Sequence, residues 1–87
     1  APCAGSTFKN NRAFGAPTGK IIDELGLKGM EKGRAKIADW HGNIIINNGG
    51  ATSTEIRSLI EEVQKRVLER RGFALEPEVL YVGDWEV

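Results

Sequence analysis

A long amphipathic helix is the clearest element that the pattern of apolar and polar positions predicts. Thr52 and Glu55 have the spacing of a capping box at its start. Gly72, after two arginines that suit a helix C-terminus, is the expected stop. The apolar positions recur every three or four residues and therefore share one helical face: Ile56, Leu59, Ile60, Val63 and Val67.

The first part of the chain predicts shorter structure. Residues 1–17 are rich in Gly, Ser, Asn and Pro, which is typical of an irregular loop, with a short strand expected around residues 7–9. Thr18 is expected to cap a helix of about two turns that stops at Gly26. Its apolar stripe consists of Ile21, Ile22 and Leu25.

Two strands are predicted between the helices. Gly29 and Gly33 bracket an expected turn, after which apolar and polar residues alternate as in a half-buried strand. The apolar positions of this strand are Ala35, Ile37 and Trp40. The β-branched run at residues 43–47 predicts a buried strand, and the Asn-Asn-Gly-Gly sequence that follows predicts a tight loop.

A last strand is predicted at residues 75–82. Pro77 lacks a backbone N–H, so it fits the first residue of a strand or an edge strand and not a central one. The order helix, strands, long helix, strand indicates the α+β class. We therefore expect one small domain in which a short helix and a long helix pack on a small mixed or antiparallel sheet.

Composition limits the class of protein. The 87 residues suffice for one small domain, and twelve Lys and Arg balance twelve Asp and Glu, so no charge excess indicates a nucleic-acid partner. No apolar run approaches the ~20 residues of a membrane helix. The single cysteine, Cys3, excludes an internal disulfide and is compatible with a reducing cytoplasm. We expect a soluble domain with no nucleic-acid, membrane or metal partner.

Three groups of polar residues are candidates for chemistry. Residues 4–10 place a hydroxyl, an ammonium and a carboxamide around a glycine, a set suited to a charged or hydroxylated ligand or simply to a polar loop. Glu76 and Glu78 stand two apart and share a strand face, as a solubilising pair on an edge strand or as a site carboxylate with a rim charge. His41, the single histidine, suits a surface or packing role as well as a site.

Five motifs, in this order and spacing, resemble the C-terminal domain of the UDP-N-acetylenolpyruvoylglucosamine reductases, also called UDP-N-acetylmuramate dehydrogenases. The motifs are AGSTFKN at residues 4–10, GKII at 19–22, GLKG at 26–29, HGNIIIN at 41–47 and LEPEV at 75–79. Each motif alone is unspecific, but the five in register cover nearly the whole chain. Because the chain starts at Ala1 in a dense motif, we expect it to be a piece of a longer polypeptide.

The resemblance implies a flavin-dependent oxidoreductase of peptidoglycan precursor synthesis. In that family NADPH reduces FAD held mainly by an N-terminal domain, and the reduced flavin gives a hydride to UDP-N-acetylglucosamine enolpyruvate, which yields UDP-N-acetylmuramate. Residues 1–87 are then expected to be the substrate-binding domain, with the FAD-binding domain of the same polypeptide as partner. Alone, the chain is expected to be inactive.

The resemblance also assigns roles to residues. Ser6 is expected to donate a proton to the carbon beside the substrate carboxylate, where a hydroxyl suffices because a carbanion is a strong base. Glu78, and not Glu76, is expected to face the site and assist at the developing enolate. Substrate binding is expected of Asn10, Lys9 and His41. The alternative is a free-standing binding module of the same fold without catalysis.

Overall fold

A computed structural model describes residues 3–78, and of residues 3–6 it describes the backbone only. The elements in chain order are β1 (Cys3–Ser6), a short 3-10 helix (Arg12–Phe14), α1 (Thr18–Glu24), β2 (Glu31–Lys32), β3 (Ala35–Ile37), β4 (Ile44–Asn47) and α2 (Ser53–Arg71). The strands form one antiparallel sheet in the order β1-β4-β3-β2. The predicted α+β class, with two helices and an antiparallel sheet, is confirmed.

Helix α2 forms as its sequence predicts. The Thr52 hydroxyl accepts a hydrogen bond from the Glu55 N–H at 3.1 Å, and the Glu55 carboxylate accepts one from the Thr52 N–H at 3.1 Å. Gly72 ends the helix with a positive φ of 73°. The buried residues of α2 are the five predicted ones: Ile56, Leu59, Ile60, Val63 and Val67. Neither helix within residues 3–78 is long and apolar enough to cross a membrane.

The hydrophobic core joins both helices to the sheet and to four residues outside the helices and strands: Phe8, Leu27, Ala51 and Leu75. Helix α2 contacts β2, β3 and α1. The core contains Ile21 and Ile22 of α1, Ile37 of β3, Ile45 of β4 and the buried stripe of α2. Phe8 and Leu75 also lie in it, with 2% and 4% of their surface exposed. Because these two side chains are anchored in the core, the backbone on either side of each is held in place.

Thr18 does not cap α1, contrary to the prediction. Pro17 occupies the N-cap position and makes no side-chain cap hydrogen bond. The buried Thr18 hydroxyl instead donates to the Lys9 carbonyl at 3.0 Å, and the Thr18 N–H donates to Asn10 Oδ1 at 2.9 Å. A carboxamide from the preceding loop therefore satisfies the start of the helix.

Two predictions between the helices are wrong in extent: the turn at Gly29–Gly33 and the strand that reaches Trp40. The predicted turn contains strand β2, which the residue pair Gly33-Arg34 joins to β3, with Gly33 at a φ of 58°. Strand β3 stops at Ile37, because the chain turns toward β4 and the Ala38 N–H donates to the Ile44 carbonyl. Trp40 lies beyond this turn, with 63% of its surface exposed.

The first and the last predicted strands of the chain also differ from their predicted limits. The strand expected around residues 7–9 lies earlier, at Cys3–Ser6. The strand expected at residues 75–82 is, in its described part, a single antiparallel bridge between Phe8 and Pro77. Residues 79–82 lie outside the described range.

Loss of the capping box is expected to destabilise the domain measurably. Thr52→Ala removes the acceptor for the Glu55 N–H and should lower the free energy of unfolding of the 87-residue chain by about 1 kcal/mol. Thr54→Ala, at an exposed position in the first turn of the same helix, is the matched control and should stay within about 0.5 kcal/mol of the parent. Urea denaturation followed by circular dichroism measures both, and equal losses would contradict the role of the cap.

Candidate active site

Residues 7–9, which we call the bridging segment, lie between the start of β4 and residues 76–78. Toward β4, the Thr7 N–H donates to the Asn43 carbonyl at 2.8 Å. Both polar groups of the Phe8 backbone pair with the Asn43 side chain: the Phe8 N–H donates to Oδ1 at 2.8 Å, and Nδ2 donates to the Phe8 carbonyl at 2.9 Å. The Asn43 carboxamide thus takes the place of a peptide group in the ladder that continues from β1 and β4.

On its other side the bridging segment pairs with the backbone around Pro77. The Glu78 N–H donates to the Thr7 carbonyl at 2.7 Å, and the Lys9 N–H donates to the Glu76 carbonyl at 2.9 Å. The Lys9 carbonyl accepts a hydrogen bond from the Thr18 hydroxyl. All six backbone polar groups of the bridging segment are therefore paired. A segment so fully paired is a rigid support for the side chains beside it.

The two predicted catalytic positions, far apart in sequence, are brought together by this ladder. Ser6 is the last residue of β1 and directly precedes Thr7, whose carbonyl accepts from the Glu78 N–H. The Ser6 hydroxyl lies outside what the structure describes. Glu78 is exposed, so its carboxylate is open to a ligand. The roles of both residues stay predictions.

Lys9 and Glu76 form an exposed ion pair beside this point. Lys9 Nζ lies 3.7 Å from Glu76 Oε1, and the two side chains are 58% and 74% exposed. An ion pair this exposed contributes little to stability and separates easily. Lys9 can therefore exchange Glu76 for an anionic ligand, and its substrate contact stays a prediction.

Asn10 has a structural contact as well as its predicted binding role. Its Oδ1 accepts the Thr18 N–H, so the NH2 group is the end of this exposed side chain that a ligand can use. Two cavities lie next to it. One of about 350 Å³ is lined by residues 10–12 and 15–17. Another of about 150 Å³ is lined by Lys9, Asn10, Asn11, Phe14, Ala74 and Glu76.

His41 lies at a different cavity from Lys9 and Asn10. This cavity of about 200 Å³ is lined by Gly19, Lys20, Asp23, Lys28, Trp40, His41 and Gly42. The exposed His41 ring accepts the Asn43 N–H at Nδ1 over 3.1 Å, which leaves Nε2 for a ligand. The structure thus connects His41 to the bridging segment through Asn43, and its substrate contact stays a prediction.

Two residues that matter to this arrangement were missed by sequence reasoning. Asn43 is 2% exposed, and its only sequence signal is a carboxamide immediately before a β-branched run. Thr7 is 1% exposed, and its hydroxyl has no hydrogen-bond partner within the described part of the chain. No local pattern distinguishes either residue from an ordinary strand or loop position.

The glycine-rich loop before α2 is closed by its own side chains. The Asn47 carboxamide closes the glycine-rich loop before α2 by accepting the Gly49 and Ala51 N–H groups. The capping box occupies donors at the start of α2 that a phosphate would need. Within residues 3–78 no three His, Cys, Asp or Glu side chains lie together as metal ligands would.

The fold and this arrangement define a small α+β domain with a polar edge. At this edge the positions of Ser6 and Glu78 lie close together through Thr7. The chain belongs to the family described as UDP-N-acetylenolpyruvoylglucosamine reductase, C-terminal domain, whose model matches residues 1–82. The family resemblance in the five sequence motifs is therefore confirmed.

Known proteins similar to this chain carry the same name. The chain is 60% identical over 84 residues to the UDP-N-acetylenolpyruvoylglucosamine reductase of Treponema denticola, covering 97% of this chain and 26% of the relative. It is 54% identical over 82 residues to that of Borreliella burgdorferi, covering 94% of this chain and 27% of the relative. The crystal structure of the reductase from Thermus caldophilus superimposes with a TM-score of 0.76 at 38% identity, covering 90% of this chain and 26% of that one. The chain thus spans about a quarter of the length of these relatives.

Proposed function

We propose that this chain is the substrate-binding domain of an NADPH- and FAD-dependent reductase that converts UDP-N-acetylglucosamine enolpyruvate into UDP-N-acetylmuramate for peptidoglycan synthesis. Membership of the reductase family supports the proposal. The observation that carries it is the 2.7 Å hydrogen bond from the Glu78 N–H to the Thr7 carbonyl, which puts Glu78 beside the residue that follows Ser6. A cytoplasmic location is part of the proposal, and the single cysteine is compatible with it.

In this proposal the chain supplies the proton of the reaction. A flavin bound by the FAD-binding domain of the same polypeptide would supply the hydride chemistry at the terminal carbon of the enolpyruvyl group. Ser6 donates its hydroxyl proton to the neighbouring carbon, which carries the carboxylate, and water restores the proton to the serine. One double bond is reduced, and one NADPH and one proton are consumed.

Glu78 acts on the substrate carboxylate, which is attached to the carbon that Ser6 protonates. Glu78 assists at the enolate as negative charge builds on these carboxylate oxygens. Its exposed position leaves room for this contact. The hydrogen bond from the Glu78 N–H to the Thr7 carbonyl keeps Glu78 near Ser6 during the reaction.

The polar groups around the cavities bind the rest of the substrate. The Asn10 NH2 and the Lys9 ammonium offer donors to the anionic, oxygen-rich nucleotide sugar. His41 offers Nε2 at the third cavity. These contacts hold the substrate and place its enolpyruvyl group at the edge where Ser6 and Glu78 meet.

A chimera tests the proposal directly. Residues 1–87 replace the matching 84-residue segment of the Treponema denticola reductase, to which they are 60% identical. The chimera is expected to consume NADPH in steady state only when UDP-N-acetylglucosamine enolpyruvate is present, and mass spectrometry should show UDP-N-acetylmuramate. With the unmodified reductase active in parallel, a chimera that NADPH reduces but that makes no product would refute the proposal.

The isolated 87-residue chain is expected to purify without flavin. Asparagine side chains close two of its described glycine-containing turns, those that end at Gly15 and that precede α2. The measurement is the visible flavin absorbance of the purified chain after incubation with FAD and gel filtration, with the chimera as the yellow control. A near-stoichiometric flavin band in the isolated chain would contradict this expectation.

A further inference from the structure

Asn43 is the described residue that ties the two sides of the candidate active site together. It is 2% exposed, and both ends of its carboxamide are used by the Phe8 backbone. Its own carbonyl accepts the Thr7 N–H, and its own N–H donates to His41 Nδ1. One buried residue therefore contacts the segment after Ser6 through its side chain and carbonyl, and His41 at the third cavity through its backbone N–H.

The Phe8 backbone depends on this carboxamide. Phe8 is 2% exposed, so its N–H and carbonyl cannot turn to bulk water if the side chain is removed. Beyond the pair Ser6 and Ile44, the ladder between β1 and β4 continues through one backbone bond and then through Asn43. The register of residues 7–9 relative to β4 is thus set by a side chain.

The opposite side of the bridging segment transmits that register to Glu78. Thr7 accepts the Glu78 N–H, and Lys9 donates to the Glu76 carbonyl. Ser6 is held opposite Ile44 by the pairing of β1 with β4, whereas Glu78 is hydrogen-bonded to the bridging segment. A shift of that segment relative to β4 would therefore move Glu78 relative to Ser6. Reacting groups tolerate little displacement, since an error of about 1 Å can cost on the order of 10²-fold in rate.

We infer that Asn43 is a positioning residue for the proton transfer: its carboxamide holds the bridging segment in the register that brings Ser6 and Glu78 together. The inference rests on the proposed function. Asn43 acts through the Thr7 and Phe8 backbone and does not itself touch the substrate. Loss of the carboxamide should therefore slow the step in which Ser6 acts and leave the reduction of the flavin by NADPH unchanged.

Two variants of the chimera test the inference. Asn43→Ala removes both hydrogen bonds to Phe8, whereas Asn43→Asp keeps the size and the acceptor but loses the donor to the Phe8 carbonyl. Asn47→Ala is the matched control, because this carboxamide also makes two backbone hydrogen bonds, at the other end of β4 and in the loop before α2. The flavin, held elsewhere in the chimera, reports on all three variants even if one destabilises the grafted domain.

Stopped-flow absorbance separates the outcomes. Both Asn43 variants should slow flavin reoxidation by substrate at least tenfold and raise its solvent deuterium isotope effect, because proton transfer becomes limiting. Flavin reduction by NADPH should not change, and Asn47→Ala should stay within twofold of the parent in both steps.

Three results would overturn the inference. Reoxidation within twofold of the parent in both Asn43 variants would remove the positioning role, while an active parent chimera would keep the proposed function. An equal loss in Asn47→Ala would show that the effect is general destabilisation. A parent chimera that substrate does not reoxidise would refute the proposed function and the inference with it.

Discussion

Replacing Ser6 by alanine in the chimera is expected to slow the reoxidation of reduced flavin by substrate about 10²–10⁴-fold, the range of a typical general acid. The variant loses the proton that the proposed reaction delivers to the carbon beside the carboxylate. Flavin reduction by NADPH precedes this step and should keep its rate. Anaerobic stopped-flow absorbance measures the two half-reactions separately.

Ser58→Ala is the control for the Ser6 variant. Ser58 is exposed on α2, away from the bridging segment, and its replacement should leave both half-reactions unchanged. Unchanged reoxidation in Ser6→Ala would remove Ser6 from the proton-transfer step. Equal slowing of both half-reactions would show damage to the interface with the flavin instead of loss of an acid.

Glu78→Gln is expected to depress flavin reoxidation by on the order of 10²-fold or more with little loss of substrate binding. The amide keeps the shape of the side chain but removes the carboxyl group that assists at the enolate, so the loss falls on the transition state and not on the bound substrate. The measurement is the dependence of the reoxidation rate on substrate concentration, which gives the limiting rate and the apparent dissociation constant.

Glu76→Gln is the matched control in the same short segment. Glu76 is 74% exposed and pairs with Lys9 over 3.7 Å, so its loss should cost less than about tenfold, or about 1.4 kcal/mol. If Glu76→Gln is the more damaging substitution, Glu78 is not the catalytic carboxylate.

Helix α2 could be predicted in detail because all of its determinants are local. The capping box, the apolar stripe and the final glycine lie within one continuous segment, and each signal agrees with the others. The core contribution of α2 follows from the same periodicity. Nothing distant in sequence was needed to place its buried residues.

The errors fall where distant partners decide the local structure. Thr18 has the residue type of a helix cap, but its hydroxyl and its N–H are taken by Lys9 and Asn10. Strand β2 has only two residues and exists because the Gly33-Arg34 turn returns it onto β3. Neither partnership leaves a periodic trace in the sequence.

The candidate site was predictable only through the family motifs. Unaided, the residue types around Ser6 and Glu78 indicated a polar loop and an edge-strand pair. The fold brings them together through the Thr7 carbonyl, and an irregularity in register between Cys3 and Ser6 precedes that point. Asn43, 35 positions from Phe8, carries no signal that separates it from the start of a buried strand.

The most direct test of the account is a single turnover of the chimera. Its flavin is first reduced with NADPH in the absence of oxygen and then mixed with UDP-N-acetylglucosamine enolpyruvate. We expect flavin absorbance to return at a rate that rises with substrate concentration, with UDP-N-acetylmuramate formed in equal amount. A flavin that stays reduced in the presence of substrate, yet is reoxidised when air is admitted, would contradict the claim that this chain supplies the substrate side of the reaction.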